Sequence, residues 1–167
     1  MPLSLVPRAF FSRVEEITPI VLHALGARAV ILDLDNTLAP RGSHSVSSSI
    51  RTWLLQLKQD GFPLFLLSNS PLKRVIFFAQ TLGIEPVRGG PKPLPSGYRW
   101  VFRKLGIPPQ QVAVIGDQIF TDILGGNWSG ACTILVRPLE PQTDFFTTKL
   151  LRKLERGLLR GEHNLHK

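Results

Sequence analysis

The unbroken apolar run Ala29-Val30-Ile31-Leu32, ending in Asp33-Leu34-Asp35-Asn36-Thr37, constrains this chain more than any other stretch. A run of that kind bounded by turn-formers reads as a strand buried on both faces, as in a parallel sheet covered by helices. Ligands of open α/β sheets gather at the carboxyl ends of such strands. Alternation along an extended backbone points Asp33 and Asp35 the same way. Two acids so close repel each other unless they share a cation or one holds a proton. An aspartate can also attack phosphorus, with a neighbouring acid handling the leaving-group proton. The pattern suits a phosphotransfer enzyme. The bland alternative is a strand end whose Asp simply starts a turn.

Three further polar signals follow, each after an apolar stretch or a glycine turn. Phe65-Leu66-Leu67 runs into Ser68-Asn69, Gly89-Gly90-Pro91 leads to Lys92-Pro93, and Val112-Ala113-Val114-Ile115 runs into Gly116-Asp117, with Thr121 and Asp122 beyond. Acid pair, hydroxyl, lysine and distal carboxylates in this order resemble the haloacid dehalogenase (HAD) superfamily of phosphohydrolases, over roughly residues 28–138. Within it, Val30-Ile31-Leu32-Asp33-Leu34-Asp35-Asn36-Thr37-Leu38, Ser68-Asn69-Ser70, Lys92-Pro93 and the segment Gly116 to Asn127 resemble the capless YqeG-type phosphatases of subfamily IIIA. That group in turn resembles the phosphatidylglycerophosphate phosphatases of mitochondria and plastids. Asn36, where many relatives have Gly, Gln118-x-x-Thr121-Asp122 and the leader Leu5-Val6-Pro7 favour the same subgroup.

The resemblance implies roles. Asp33 is the expected nucleophile, and Asp35 the acid that protonates the leaving alcohol and then activates water. Ser68, the Asn69 amide and Lys92 are expected to bind phosphoryl oxygens. Magnesium, which takes hard oxygen ligands and keeps several waters, is expected on Asp33, the backbone carbonyl of Asp35, Asp117 and Asp122. Asp122 is the least secure of these, because it could equally cap the following helix. Asn36 and Thr37 are expected to shape the loop. The implied reaction is hydrolysis of a phosphomonoester through an aspartyl-phosphate, with phosphatidylglycerophosphate as substrate and phosphatidylglycerol as product. Two alternatives stay open: a phosphatase for a soluble nucleotide, sugar or protein phosphate, and a non-catalytic adaptor for membrane or nucleic acid.

Regular alternation of strands and helices implies one α/β domain with a parallel, Rossmann-like sheet, helices on both faces and right-handed crossovers. The sequence divides into a helical leader (1–28), a core (29–138) and a basic amphipathic helix with a tail (139–167). In the leader, Phe10, Val14, Ile17, Val21 and Leu25 fall near helical spacing over 10–25, and Pro19 makes two short helices equally compatible. Further helices are expected over 49–58, 72–82, 96–105 and 120–128, and strands over 63–67, 85–88, 112–115 and 132–136. Gly125-Gly126-Asn127 reads as a helix end and turn. Ser68 follows Asp33 by 35 residues and Lys92 follows Ser68 by 24. Neither interval has room for a cap domain, so an open site is expected.

The formal charge of +8 is concentrated at one end. Residues 146–167 hold six bases (Lys149, Arg152, Lys153, Arg156, Arg160, Lys167) and two acids (Glu155, Glu162), which is half the total. Across Thr147 to Leu159 the leucines 150, 151, 154 and 158 take one face, while Lys149, Lys153, Arg156 and Arg160 line another. Such a helix suits an anionic lipid surface or, equally, packing on the core with a solvated basic side. The pair Phe10-Phe11 is a second expected membrane contact. Nucleic acid is not expected, because no base-stacking platform interleaves with the bases. His23, His44, His163 and His166 share no ligand spacing, and Trp53, Trp100 and Trp128 read as packing residues. The single Cys132 excludes an internal disulfide and reads as a buried strand thiol. With no apolar run of membrane-spanning length and no signal-peptide pattern, a cytoplasmic enzyme, peripheral on the inner face of the membrane, is the expectation. Oligomeric state is left open.

Overall fold

The computed structural model describes residues 4–140. The expected basic helix of 147–160 lies outside them. Six parallel strands form one sheet: β1 (Ala9–Phe11), β2 (Ala29–Leu32), β3 (Leu64–Leu66), β4 (Glu85–Pro86), β5 (Val112–Gly116) and β6 (Cys132–Val136), in the order β1-β6-β5-β2-β3-β4. The chain leaves central β2 outwards through β3 and β4, then crosses back to β5 on the other side of β2. This reversal opens a crevice between the carboxyl ends of β2 and β5, the place where open α/β sheets bind ligands.

Because β-strand side chains alternate, the central strands feed two separate cores. Val30, Leu32, Leu64, Leu66, Ala113 and Ile115 face α1 (Pro19–Ala24), α2 (Ser48–Gln59) and α3 (Leu72–Leu82). Ala29, Ile31, Phe65, Leu67, Val112 and Val114 face α4 (Ser96–Leu105), with Tyr98, Val101 and Phe102. A short α5 (Leu124–Ser129) lies on this second face, where Gly126 meets Val114 and Thr133. The double burial explains why β2 and β5 read as continuous apolar runs. The helix starts are conventional: the Ser47 hydroxyl accepts from Ile50 N at 3.3 Å at the head of α2, and Gly83 at φ +60° ends α3.

Three expectations need correction. The leader is not one helix from residue 10; of the two readings the two short helices hold, but they begin only at Val14. Phe10 and Phe11 lie in edge strand β1, paired with Leu135 and Val136, a single-turn 3-10 helix follows at Val14–Glu16, and α1 starts only at Pro19. The aromatic pair is therefore committed to the protein: Phe10 packs on Ile119, Ile123 and Leu135, and Phe11 packs on the first core. Gly125 and Gly126 lie inside α5 rather than at its end. A Cβ at Gly125 would strike the Tyr98 ring and hydroxyl, and one at Gly126 would strike Thr133. Finally, Cys132 is only partly buried, though burial still pushes its thiol pKa up. No inserted module separates Asp33 from Ser68 or Ser68 from Lys92, and among the described residues no helix is long and apolar enough to cross a membrane.

Candidate active site

Each catalytic-type side chain enters from the carboxyl end of a strand. Asp33 directly follows β2, and its N–H still donates to Ile115 O of β5 at 3.0 Å. Asn36 then takes the left-handed conformation, φ +61°, which Asn and Gly tolerate better than other residues. Its N–H donates to Ala39 O at 2.7 Å, closing a tight loop. That loop returns the Thr37 hydroxyl to 3.2 Å from Asp117 Oδ1 and 3.4 Å from Asp33 Oδ2, where it can donate to either.

Asp117 follows β5 directly. Beyond it, Ile119–Ile123 forms a single π-helical turn, a geometry that recurs at functional sites. The turn folds Asp122 back under Gly116, where any side chain would collide with its carboxylate. Asp122 Oδ2 accepts from Gln118 N at 3.2 Å while Oδ1 accepts from the Lys92 ammonium at 2.5 Å. Asp122 is therefore not the N-cap of either helix; its carboxylate links the Gln118 N–H at the head of the turn to Lys92. Lys92 is anchored at its backbone: its N–H donates to Asn69 Oδ1 at 2.8 Å, and the Asn69 amide donates back to Lys92 O at 3.0 Å. Its ammonium reaches Asp33 Oδ1 at 2.5 Å as well.

The result is a dense buried charge cluster. One carboxylate oxygen from each of Asp33, Asp117 and Asp122 lies within 4.8 Å of the others, with all three residues buried. Burial, then the charges of Asp33 and Asp122, pushes Asp117 up to about 8, against a partial lowering by the Thr37 hydrogen bond. Burial and the charge of Asp33 push Asp122 up to about 7, against lowering by Lys92. Burial by itself would lower the Lys92 pKa, but the charges of Asp122 and Asp33 outweigh it and hold the ammonium protonated. Three carboxylates facing one ammonium leave an excess of negative charge that a cation would relieve. The donors are all hard oxygens, which fits magnesium-class ions rather than zinc.

Asp35 stands apart from this cluster. Its carboxylate accepts from Arg74 Nε at 3.1 Å and Nη2 at 2.9 Å, and from the Ser70 hydroxyl. Arg74 also donates to Pro40 O and Ser43 O, tying the loop after β2 to α3. Asp33, Asp35, Ser68, Asn69, Ser70, Arg74 and Lys92 all line one open cleft of about 460 Å³, with Arg41 and Gly42 at one side and Gln118 and Thr121 at the other. The structure therefore brings the expected site residues together, with Asp117 and Asp122 at the cleft floor beside Lys92. Sequence reasoning missed Arg74 and Ser70, and gave Thr37 only a loop role. His23 lines a different cavity from the cleft and is paired with Asp60 at 2.6 Å. Trp53 is buried, its indole N–H donating to Ile17 O at 2.8 Å.

Comparison with known proteins agrees with this geometry. The haloacid dehalogenase-like hydrolase profile matches residues 39–130. The probable phosphatase YqeG of Bacillus subtilis is 33% identical over 154 residues, 92% of this chain and 89% of that one. Phosphatidylglycerophosphate phosphatase 1, chloroplastic/mitochondrial, of Arabidopsis thaliana is 28% identical over 84% of this chain, which spans 43% of that relative. A HAD-superfamily hydrolase from Ehrlichia chaffeensis shares the fold, with a TM-score of 0.55 at 16% identity over 68% of this chain and 92% of that one. A parallel sheet reversing beside Asp33, a buried acid cluster with its lysine, a matching family profile and a phosphatase relative matched over nearly its whole length lead to one conclusion: the chain belongs to the haloacid dehalogenase-like hydrolase family, as a phosphatase.

Proposed function

We propose that this phosphatase hydrolyses phosphatidylglycerophosphate to phosphatidylglycerol and phosphate, with magnesium bound and through an aspartyl-phosphate on Asp33. The observation that carries the chemistry is the Lys92 ammonium 2.5 Å from Asp33 Oδ1 at the head of the open cleft. The same ammonium lies ready for the oxygens of an incoming phosphoryl group.

In the first step an Asp33 oxygen attacks phosphorus. The bond to the substrate alcohol breaks, and Asp35 gives its proton to the departing oxygen. In the second step a water loses a proton to Asp35 and attacks phosphorus, releasing phosphate and restoring Asp33. Ser68, the Asn69 amide and Lys92 hold the phosphoryl oxygens throughout. Arg74 and Ser70 keep Asp35 aimed at the leaving group, clear of the buried acids. Asp33, Asp117 and Asp122, with the Asp35 main-chain carbonyl, would hold the magnesium, which supplies positive charge against the phosphoryl oxygens. The lipid assignment is supported by the phosphatidylglycerophosphate phosphatase relative and by the uncapped cleft, which leaves room for a head group attached to something large.

The test is phosphate release from a panel of lipid and soluble monoesters with magnesium present. The expected result is turnover of phosphatidylglycerophosphate well above sugar, nucleotide and peptide phosphates. Asp33→Asn, nearly isosteric but a far poorer nucleophile, should abolish it while circular dichroism shows the fold intact. Turnover near the parent's in that variant refutes the covalent route, and preference for a soluble ester refutes the lipid substrate.

A further inference from the structure

We infer that the rim of the catalytic cleft is itself a bilayer-docking surface, which presses the open site onto an anionic membrane. The inference rests on the lipid-phosphate reading above and adds how the enzyme reaches such a substrate. Large apolar side chains stand exposed on three separate segments around the cleft: Leu72 at the first residue of α3 (71% exposed), Phe120 in the π-helical turn (53%) and Leu94 in the loop after β4 (47%). Each is one or two residues from a cleft-lining side chain. Leu72 follows Pro71, Leu94 is two residues after Lys92, and Phe120 lies between Gln118 and Thr121. All three segments follow carboxyl ends of parallel strands, so they share one edge of the molecule. Ile76 (40%) and Phe77 (43%) extend the patch along α3, and the Phe77 ring meets His44 of the loop after β2 edge-on at 6.1 Å.

Charge chooses the partner. In the four rim segments, 40–47, 68–77, 87–96 and 118–121, there is no acidic residue. Arg41, Lys73 and Arg88 are exposed there. The other acids that follow carboxyl ends of strands on this edge lie toward β1 and β6: Glu15 and Glu16 are tied to Arg13, Ser49 and the Ser12 amide, and Glu140 is exposed after β6. Apolar tips interspersed with bases match an anionic lipid surface, where the tips enter the acyl boundary and the bases stay among head groups. The three apolar tips also neighbour cleft-lining residues in sequence rather than lining a groove of their own. Whatever covers them therefore covers the site and must itself present the phosphomonoester, as a bilayer does.

The experiment uses the full chain with phosphatidylglycerophosphate in two forms: carried in phosphatidylglycerol–phosphatidylcholine vesicles, and as a short-chain, monomeric ester. Leu72→Gln, Leu94→Gln and Phe120→Gln combined should lower vesicle binding and the vesicle rate by at least roughly tenfold. The short-chain rate should stay within about twofold, because these residues take no part in the chemistry. Lys73→Gln with Arg88→Gln should lower binding several-fold on anionic vesicles only, an effect removed by salt. Residues 141–167 are identical in parent and variants, so any contribution they make to binding cancels. Unchanged vesicle binding in the triple variant overturns the inference, as does equal loss on both esters, which assigns the rim to the fold. A parent dimer that the triple variant converts to a monomer also overturns it, since a second copy then covers the face. Failure to hydrolyse either ester while the triple variant still loses vesicle binding refutes the substrate and leaves the docking surface standing.

Discussion

Lys92→Met isolates the electrostatic logic of the site. Methionine matches the length of the lysine stem, so packing changes little while the only ammonium among the described residues in contact with Asp33 and Asp122 disappears. Removing one partner of a buried ion pair costs about 3–5 kcal/mol, because the remaining charge is left uncompensated. For a domain of this size each kcal/mol lowers the melting temperature by about 2–4 °C, so metal-free Lys92→Met should melt roughly 6–20 °C below the parent at pH 8. Acid should narrow that gap. Asp117 and Asp122 titrate in the folded protein near 8 and 7, well above their ordinary 3.8. The folded state therefore binds protons that the unfolded state has released. The stability this gives is fully present below about pH 4 and is lost as pH rises through 7 and 8. At pH 5 the carboxyls are largely neutral and need the ammonium less. Melting curves followed by circular dichroism in a chelator at pH 5 and pH 8, then with magnesium, test each step. A variant that melts within about 2 °C of the parent at pH 8, or a gap that does not shrink at pH 5, refutes the argument.

Asp117→Ala should remove most of the magnesium-dependent rise in melting temperature and most turnover, and calcium should support activity poorly in the parent because its coordination is larger and looser; full activity after exhaustive chelation contradicts both. In the parent, the stabilisation by magnesium should grow between pH 6 and pH 9 as Asp122 and Asp117 lose their protons, and isothermal titration should show proton release on binding. Arg74→Gln should lower kcat by roughly 10–100-fold with KM little changed, since Asp35 loses its clamp while Lys92 and Ser68 are untouched; an equal rise in KM would place Arg74 in substrate binding. Asn36→Ala should cost about 1–2 kcal/mol in urea unfolding and Asn36→Gly less, because only the alanine carries a Cβ penalty at φ +61°; equal losses point to the side chain instead.

What the sequence could reveal followed from local pattern. The runs ending at Asp33 and Gly116 are apolar on both faces, so β2 and β5 were legible, and α2 to α4 carry regular amphipathic spacing with clear stops. Asp33 and Asp117 were legible because each sits where an apolar strand ends, and Lys92 because it follows the Gly89-Gly90-Pro91 turn. β1 was not, because its three residues are defined by pairing with Ile134, Leu135 and Val136, far along the chain. Meanwhile the apolar residues at 10, 14, 17, 21 and 25 mimic a helix. Arg74 and Thr37 were hidden for the same reason: their partners Asp35 and Asp117 lie 39 and 80 residues away. Gly125 and Gly126 have poor helix propensity, and contact with Tyr98 and Thr133 overrides it.

These nonlocal contacts explain how two aspartates two residues apart come to hold different environments. Asp33 remains at the strand end among Lys92, Thr37 and the buried acids, where negative charge is crowded. Asp35 has passed the turn at Leu34 and meets an arginine and a hydroxyl from the start of α3. On the mechanism proposed above, the nucleophile needs shielding from water, whereas the acid–base group must exchange protons with alcohol and water at the open side. The topology supplies both. The crevice between β2 and β5 surrounds Asp33, while the loop after β3 delivers Ser70 and Arg74 to Asp35. Exchanging the two environments, for example with Arg74→Asp, should therefore cost more turnover than Arg74→Gln, because a new negative charge would face Asp35 where its proton has to leave and return.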